Sequence, residues 1–81
     1  MVEHVQLGVN EEYRISTQNN SVIVLNPAVQ KFDILDTAGN VVATLRQAHD
    51  QYALPINSGD YIVRNVDTVT RYLYVIRFYV Y

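Results

Sequence analysis

The stretch that most restricts the fold is residues 69–81 (VTRYLYVIRFYVY), which lacks Gly and Pro and consists almost wholly of β-branched, aromatic and Arg side chains, the composition of a pleated surface. It holds five of the chain's nine aromatics, which are seven Tyr and two Phe. Successive side chains of a strand alternate between faces. One face is therefore Thr70, Tyr72, Tyr74, Ile76, Phe78 and Val80, with no charge; the other is Val69, Arg71, Leu73, Val75, Arg77, Tyr79 and Tyr81. The second face is too apolar for plain solvent yet carries two cations, so Arg71, Leu73, Val75, Arg77, Tyr79 and Tyr81 are the predicted interface. A straight strand of this length would run roughly 40 Å, against roughly 30 Å for a domain of this size with a radius of gyration of about 12 Å. Either it bends between sheets or its end projects and pairs with a neighbour. Pairing is the expectation, because a bare Phe78, Tyr79, Val80 and Tyr81 end is an aggregation hazard.

The remaining chain reads as shorter strands. Residues 2–9 place Val5, Leu7 and Val9 on one face and His4 and Gln6 on the other; residues 12–17 place Tyr13, Ile15 and Thr17 opposite Glu12, Arg14 and Ser16. Gln18, Asn19 and Asn20 predict a tight hairpin into residues 21–25, since Asn tolerates positive φ. The run Val22, Ile23, Val24, Leu25 implies a strand covered on both faces. Residues 29–36 put Phe32 and Ile34 on one side and Leu35 on the polar side; Thr37-Ala38-Gly39-Asn40 turns the chain into residues 41–46, with Val41, Ala43 and Leu45 inward. After a polar loop at 47–51, Tyr52, Leu54 and Ile56 share a face in a short strand that Pro55 confines to an edge or ends. A turn at 57–60 leads into residues 61–66, and Asp67-Thr68 is the last break. About seven or eight strands without helical periodicity predict one all-β domain over residues 1–81, a small antiparallel β-sandwich or barrel with a long C-terminal strand.

Eighty-one residues give one small core, and oligomerisation is the obvious support, because the chain has no Cys for disulfides or a Cys/His zinc site. Six basic and eight acidic residues, net charge −2, with no run of either sign, argue against nucleic acid and anionic membranes as partners. Five of the six cations are Arg and only Lys31 is Lys, an interface-like bias. No apolar run approaches the roughly 18 residues of a membrane span. The N-terminus lacks a basic segment followed by an apolar one, so no signal peptide is expected and synthesis is placed in a cytoplasm.

From Phe32 to Arg64 the chain reads FDILDTAGNVV, then YALP, then SGDYIVR. This segment, about two-fifths of the chain, resembles the Ig-like modules of bacterial C-terminal sorting tails and flagellar hook-cap proteins. The resemblance implies an Ig-like sandwich, in which Tyr61 sits in a tyrosine-corner arrangement, bonding back to upstream backbone and stabilising the fold.

Chemistry-bearing residues are few. His49-Asp50 has the types of a base and its orienting carboxylate, but neighbours in a loop seldom orient one another, and Ser16, Ser21 and Ser58 lie in no nucleophile motif. His4 with His49 lacks a third metal ligand. Asp33, Asp36, Asp60 and Asp67 sit near turns without calcium-loop spacing and read as turn caps, as does the Asn19-Asn20-Ser21 sequon. No catalytic residue, cofactor or metal is expected. The seven tyrosines read as core and rim at Tyr13, Tyr52, Tyr72 and Tyr74, and as contact residues at Tyr79 and Tyr81. The expected function is a non-enzymatic assembly module that self-associates or docks on a larger protein scaffold through its C-terminal strand, with a bacteriophage virion as the setting by analogy. The alternative is a carbohydrate-binding module that stacks sugars on exposed tyrosines.

Overall fold

The computed structural model describes residues 1–27, 31–46 and 51–81. Those residues form eight strands and no helix: β1 Val2–Leu7, β2 Glu12–Ser16, β3 Ser21–Pro27, β4 Phe32–Asp36, β5 Val41–Leu45, β6 Tyr52–Leu54, β7 Asp60–Asn65 and β8 Arg71–Tyr79. They make two four-stranded antiparallel sheets, ordered β1-β8-β3-β6 and β2-β7-β4-β5. The pairings β1 with β8, β2 with β7, β3 with β6 and β4 with β5 fold the first half of the chain onto the second. A two-stranded ribbon, closed by the β4–β5 hairpin, is thus coiled into a sandwich, which is the jelly-roll topology. The all-β antiparallel fold expected from the sequence, a sandwich or a barrel, is observed as a two-sheet sandwich. The strand order is not that of an Ig sandwich, so the Ig-like reading of residues 32–64 is corrected. The same local strands occur, but they pair with different partners.

The innermost hairpin follows its turn chemistry. Asp36 accepts from the backbone N–H groups of Ala38 and Asn40, both at 2.9 Å, and Gly39 takes a φ of 92°, which only Gly adopts freely. A bulge between Ile34 and Leu35 shifts the register so that Val41 faces Leu35. Val41 is thereby turned to the outer face and exposed, against the inward expectation, while Leu35 keeps the side that alternation gives it and is buried there. Asn19 and Asn20 do take positive φ, but the turn carries the chain from one sheet to the other, so β2 and β3 do not pair as the expected hairpin.

The core between the sheets is aliphatic around one aromatic: Leu7, Ile15, Ile23, Leu25, Phe32, Ile34, Leu45, Leu54, Val63, Leu73 and Val75 are all buried. Leu73 and Val75 are 0% and 2% exposed, which settles the orientation of β8. Its inward face is the Arg71, Leu73, Val75, Arg77 face, and the uncharged face points out, contrary to expectation. The cause is chemical. Leu and Val leave no polar atom unsatisfied inside, whereas a buried Tyr needs a hydroxyl partner, and the two Arg lie near the strand ends, where the inward face meets the rim. The strand is also contained within its own fold. It pairs with β1 and β3 as far as Tyr79, and Val80 donates its N–H to the Asn20 carbonyl at 2.8 Å. About nine residues at 3.3 Å is roughly 30 Å, which fits the 39 Å long axis.

Buried polar side chains bind the turns at either end. At the end of β2 the Thr17 hydroxyl accepts from the N–H groups of Ser58 and Gly59, each at 3.0 Å, and donates to the Gly59 carbonyl at 2.9 Å. At the other end the Asn65 amide donates to the carbonyls of Leu7 and Val69 at 2.9 Å and of Gly8 at 3.1 Å, and accepts from Asp67 N at 2.9 Å. Tyr61 does close back on its own turn, but its hydroxyl bonds Ser58 Oγ at 2.8 Å, a side chain and not the backbone of a tyrosine corner.

Candidate interaction face

The two outer surfaces of the sandwich differ in kind. On the sheet containing β2, residues directly opposite one another form the row Glu12, Arg64, Asp33, Thr44 across four strands. Arg64 Nε donates to Glu12 Oε2 at 2.8 Å and Arg46 Nη2 to Asp33 Oδ1 at 2.6 Å. Arg14 is exposed on the same side. Such pairs add little stability; they mark a mostly hydrated surface, whose apolar end is Leu35, Ile62 and the exposed Val41.

Among the described residues the outer surface of the sheet centred on β8 carries none of this. Because Leu73 and Val75 point inward, Tyr72, Tyr74, Ile76 and Phe78 point outward. Their direct neighbours share that face: Gln6, His4 and Val2 on β1, and Val24 and Val22 on β3, with Ala53 of β6 opposite Val24. None of these side chains is formally charged when His4 is neutral. Val2, Phe78, Tyr72 and Tyr74 are 61%, 55%, 44% and 40% exposed, a contiguous patch of the kind that marks interaction sites. Val22 and Val24 are only half-buried. The sequence asks for cover on both sides of β3, and the chain itself provides it fully on one. His4 stacks between two tyrosines, with its ring centroid 4.7 Å from that of Tyr74 and 5.2 Å from that of Tyr72, at interplanar angles of 18° and 27°.

The residues anticipated as an interface are dispersed by the fold. Leu73 and Val75 belong to the core. Arg71 Nε bonds Asp67 Oδ2 at 2.8 Å, and Arg77 Nη1 bonds the Ser16 carbonyl and Ser21 Oγ, each at 2.9 Å. Tyr79 is about half exposed and Tyr81 fully so. The face that sequence reasoning passed over has its signal in the same alternation: four large side chains, two of them hydroxyl-bearing, on the side lacking Leu.

The acidic turn residues are engaged locally. Hydrogen bonds from Asn40, followed by those from Ala38 and Gly39, hold the Asp36 carboxyl below the usual aspartate range. The Thr68 N–H, then Arg71, does the same for Asp67. Asp33 is paired with Arg46 and Asp60 lies opposite Ser16. Burial, then the adjacent Glu3 carboxylate to which it donates at 3.2 Å, pushes the Tyr13 hydroxyl up. Among the described residues no three His, Asp or Glu gather in a metal-ligating group; His49 and Asp50 lie outside the described residues.

Neither a protein-family model nor a curated protein matches the sequence. Among solved structures the chain is similar to a de novo designed double-stranded β-helix determined by solution NMR, with 11% identity and a TM-score of 0.77 over 96% of this chain and 99% of that one. It is also similar to a sugar phosphate isomerase of the cupin superfamily from Silicibacter pomeroyi DSS-3, with 12% identity and a TM-score of 0.71 over 98% of this chain and 50% of that one. The chain spans half the length of that isomerase. At these identities the likeness concerns the fold, and it agrees with the coiled ribbon read from the strand order.

Proposed function

We propose that this chain is a non-enzymatic assembly module, a jelly roll that docks on another protein through the outer face of the sheet built around its C-terminal strand. The observation that carries the proposal is the contrast between the two outer surfaces: ion pairs on one, and Val2, Tyr72, Tyr74 and Phe78 exposed without formal charge on the other. Depletion of charge with enrichment of aromatics is the signature of an interface core. The interior is filled by aliphatic side chains and Phe32, which favours a structural role over a catalytic one. Jelly rolls recur in viral capsid and lectin domains, so a virion component suits the reading by analogy with the fold. The ring stack favours protein over sugar as the partner: a sugar lies on the flat of an aromatic ring, and Tyr72 and Tyr74 each turn one flat against His4.

A photo-cross-linking phenylalanine analogue placed at position 78, and separately at position 14, tests this in the native source. Protein adducts from position 78 and none from position 14 are expected. Absence of a protein adduct at 78, together with glycan binding that is lost in Tyr72→Ala or Tyr74→Ala, would hand the face to carbohydrate.

A further inference from the structure

We infer that the occupant of this face is a second copy of the same chain, packed sheet on sheet about a two-fold axis as a weak, reversible dimer; the inference rests on the docking reading above. A two-fold contact is self-complementary, bringing each patch against itself. A self-paired charged surface has to give each ion an opposite partner or bury it at a desolvation cost, and the outer surface carrying Glu12, Arg14, Asp33, Arg46 and Arg64 would have to meet that cost. The β8-centred face meets its own copy without that cost when His4 is neutral. Apart from Gln6 and His4, its side chains, Val, Ile, Ala, Phe and Tyr, are those that fill the space between two stacked sheets about 10 Å apart.

The area places the contact in a size class. The nine residues of β8 give a length of roughly 30 Å, and four strands at about 4.8 Å give a width of roughly 19 Å. The rectangle is roughly 570 Å² per copy. It is an upper bound on the flat area, because β1 has six residues and β6 three. Two copies therefore bury on the order of 1,000 Å² or less, at the low end for specific association. The dimer is accordingly one that forms in the micromolar range or above.

Sedimentation equilibrium on the purified full chain, from about 10 µM to about 1 mM to span such a constant, tests the inference. The wild type is expected to pass from monomer to dimer. Phe78→Lys and Tyr74→Lys, each checked for native far-UV dichroism and cooperative melting, are expected to weaken the dimer by at least about tenfold, because each buries two uncompensated ammonium groups. Arg14→Glu, on the other surface, is expected to leave it unchanged. A monomer throughout the range, or a dimer indifferent to both folded Lys variants, overturns self-pairing. A monomeric chain that still cross-links a different protein from position 78 overturns self-pairing alone; a monomer with no protein adduct there overturns the docking reading as well.

Discussion

Replacing Thr17 by Val should cost this small sandwich a large fraction of its stability although the two side chains are nearly the same shape. Thr17 is fully buried, and its hydroxyl is the acceptor for two backbone donors, Ser58 N and Gly59 N, each 3.0 Å away. Valine fills the same volume, so no cavity opens; Ser58 N keeps its 3.3 Å bond to the Pro55 carbonyl, but Gly59 N loses its acceptor in a partly buried turn. An orphaned buried donor costs about 1–3 kcal/mol. With Ser58 N falling back on the Pro55 carbonyl, the change comes to about 1–3 kcal/mol. A chain of this length has a total stability of roughly 4–12 kcal/mol, and about 1 kcal/mol moves the melting point by roughly 4–8 °C. Thermal denaturation should therefore show Thr17→Val melting roughly 4–24 °C lower. Thr17→Ser keeps the hydroxyl and loses one buried methyl, a change of about 1 kcal/mol. If Val is tolerated as well as Ser, the hydroxyl does not staple the β2–β3 turn to the β6–β7 turn and the reasoning fails.

Two further outcomes follow from burial and charge. Leu73→Ala, at a fully buried site, should lose about 2–5 kcal/mol in urea denaturation, whereas Tyr72→Ala on the outward side of the same strand should lose about 1 kcal/mol or less; comparable losses would contradict the assigned orientation of β8. Asp36 and Asp67 both ionise more readily in the fold than the ordinary aspartate near 3.8, so their contribution is present above that value and disappears as pH falls through the lower folded values. The urea midpoint should hold steady from about pH 7 to pH 5 and drop below about pH 4. The drop should be shallower in Asp67→Asn, and an unchanged profile would show that the Thr68 and Arg71 contacts do not act through the carboxylate.

What the sequence makes legible here is local, and what it hides is pairing. Alternation in residues 12–17 placed Tyr13, Ile15 and Thr17 inward as they are found, and the Asp36–Asn40 turn announced its hairpin through Gly39. Pro55 ended β6, which lies at a sheet edge. The Asn19-Asn20 turn was equally readable as a reversal. Turn chemistry fixes φ, however, and leaves open whether the departing strand joins its predecessor or crosses to the other sheet. The Ig-like resemblance failed for the same reason, since FDILD and SGDYIVR specify strands and say nothing about the order in which a ribbon coils them.

The orientation of β8 was hidden for a different reason, and that reason bears on function. Alternation sorts residues into two sets but gives no sign when both sets are apolar, and the rule that charge faces outward chose the wrong one. Arg71 and Arg77 tolerate the inward side because each reaches polar partners at the rim: Asp67 for one, the Ser16 carbonyl and Ser21 Oγ for the other. Once the aliphatics of that side are spent on the core, no layer of the described residues covers Tyr72, Tyr74, Ile76 and Phe78, or Val22 and Val24 on β3. A strand apolar on both sides belongs in the middle of three layers. This fold supplies two, and that gap is why we propose that association brings the third.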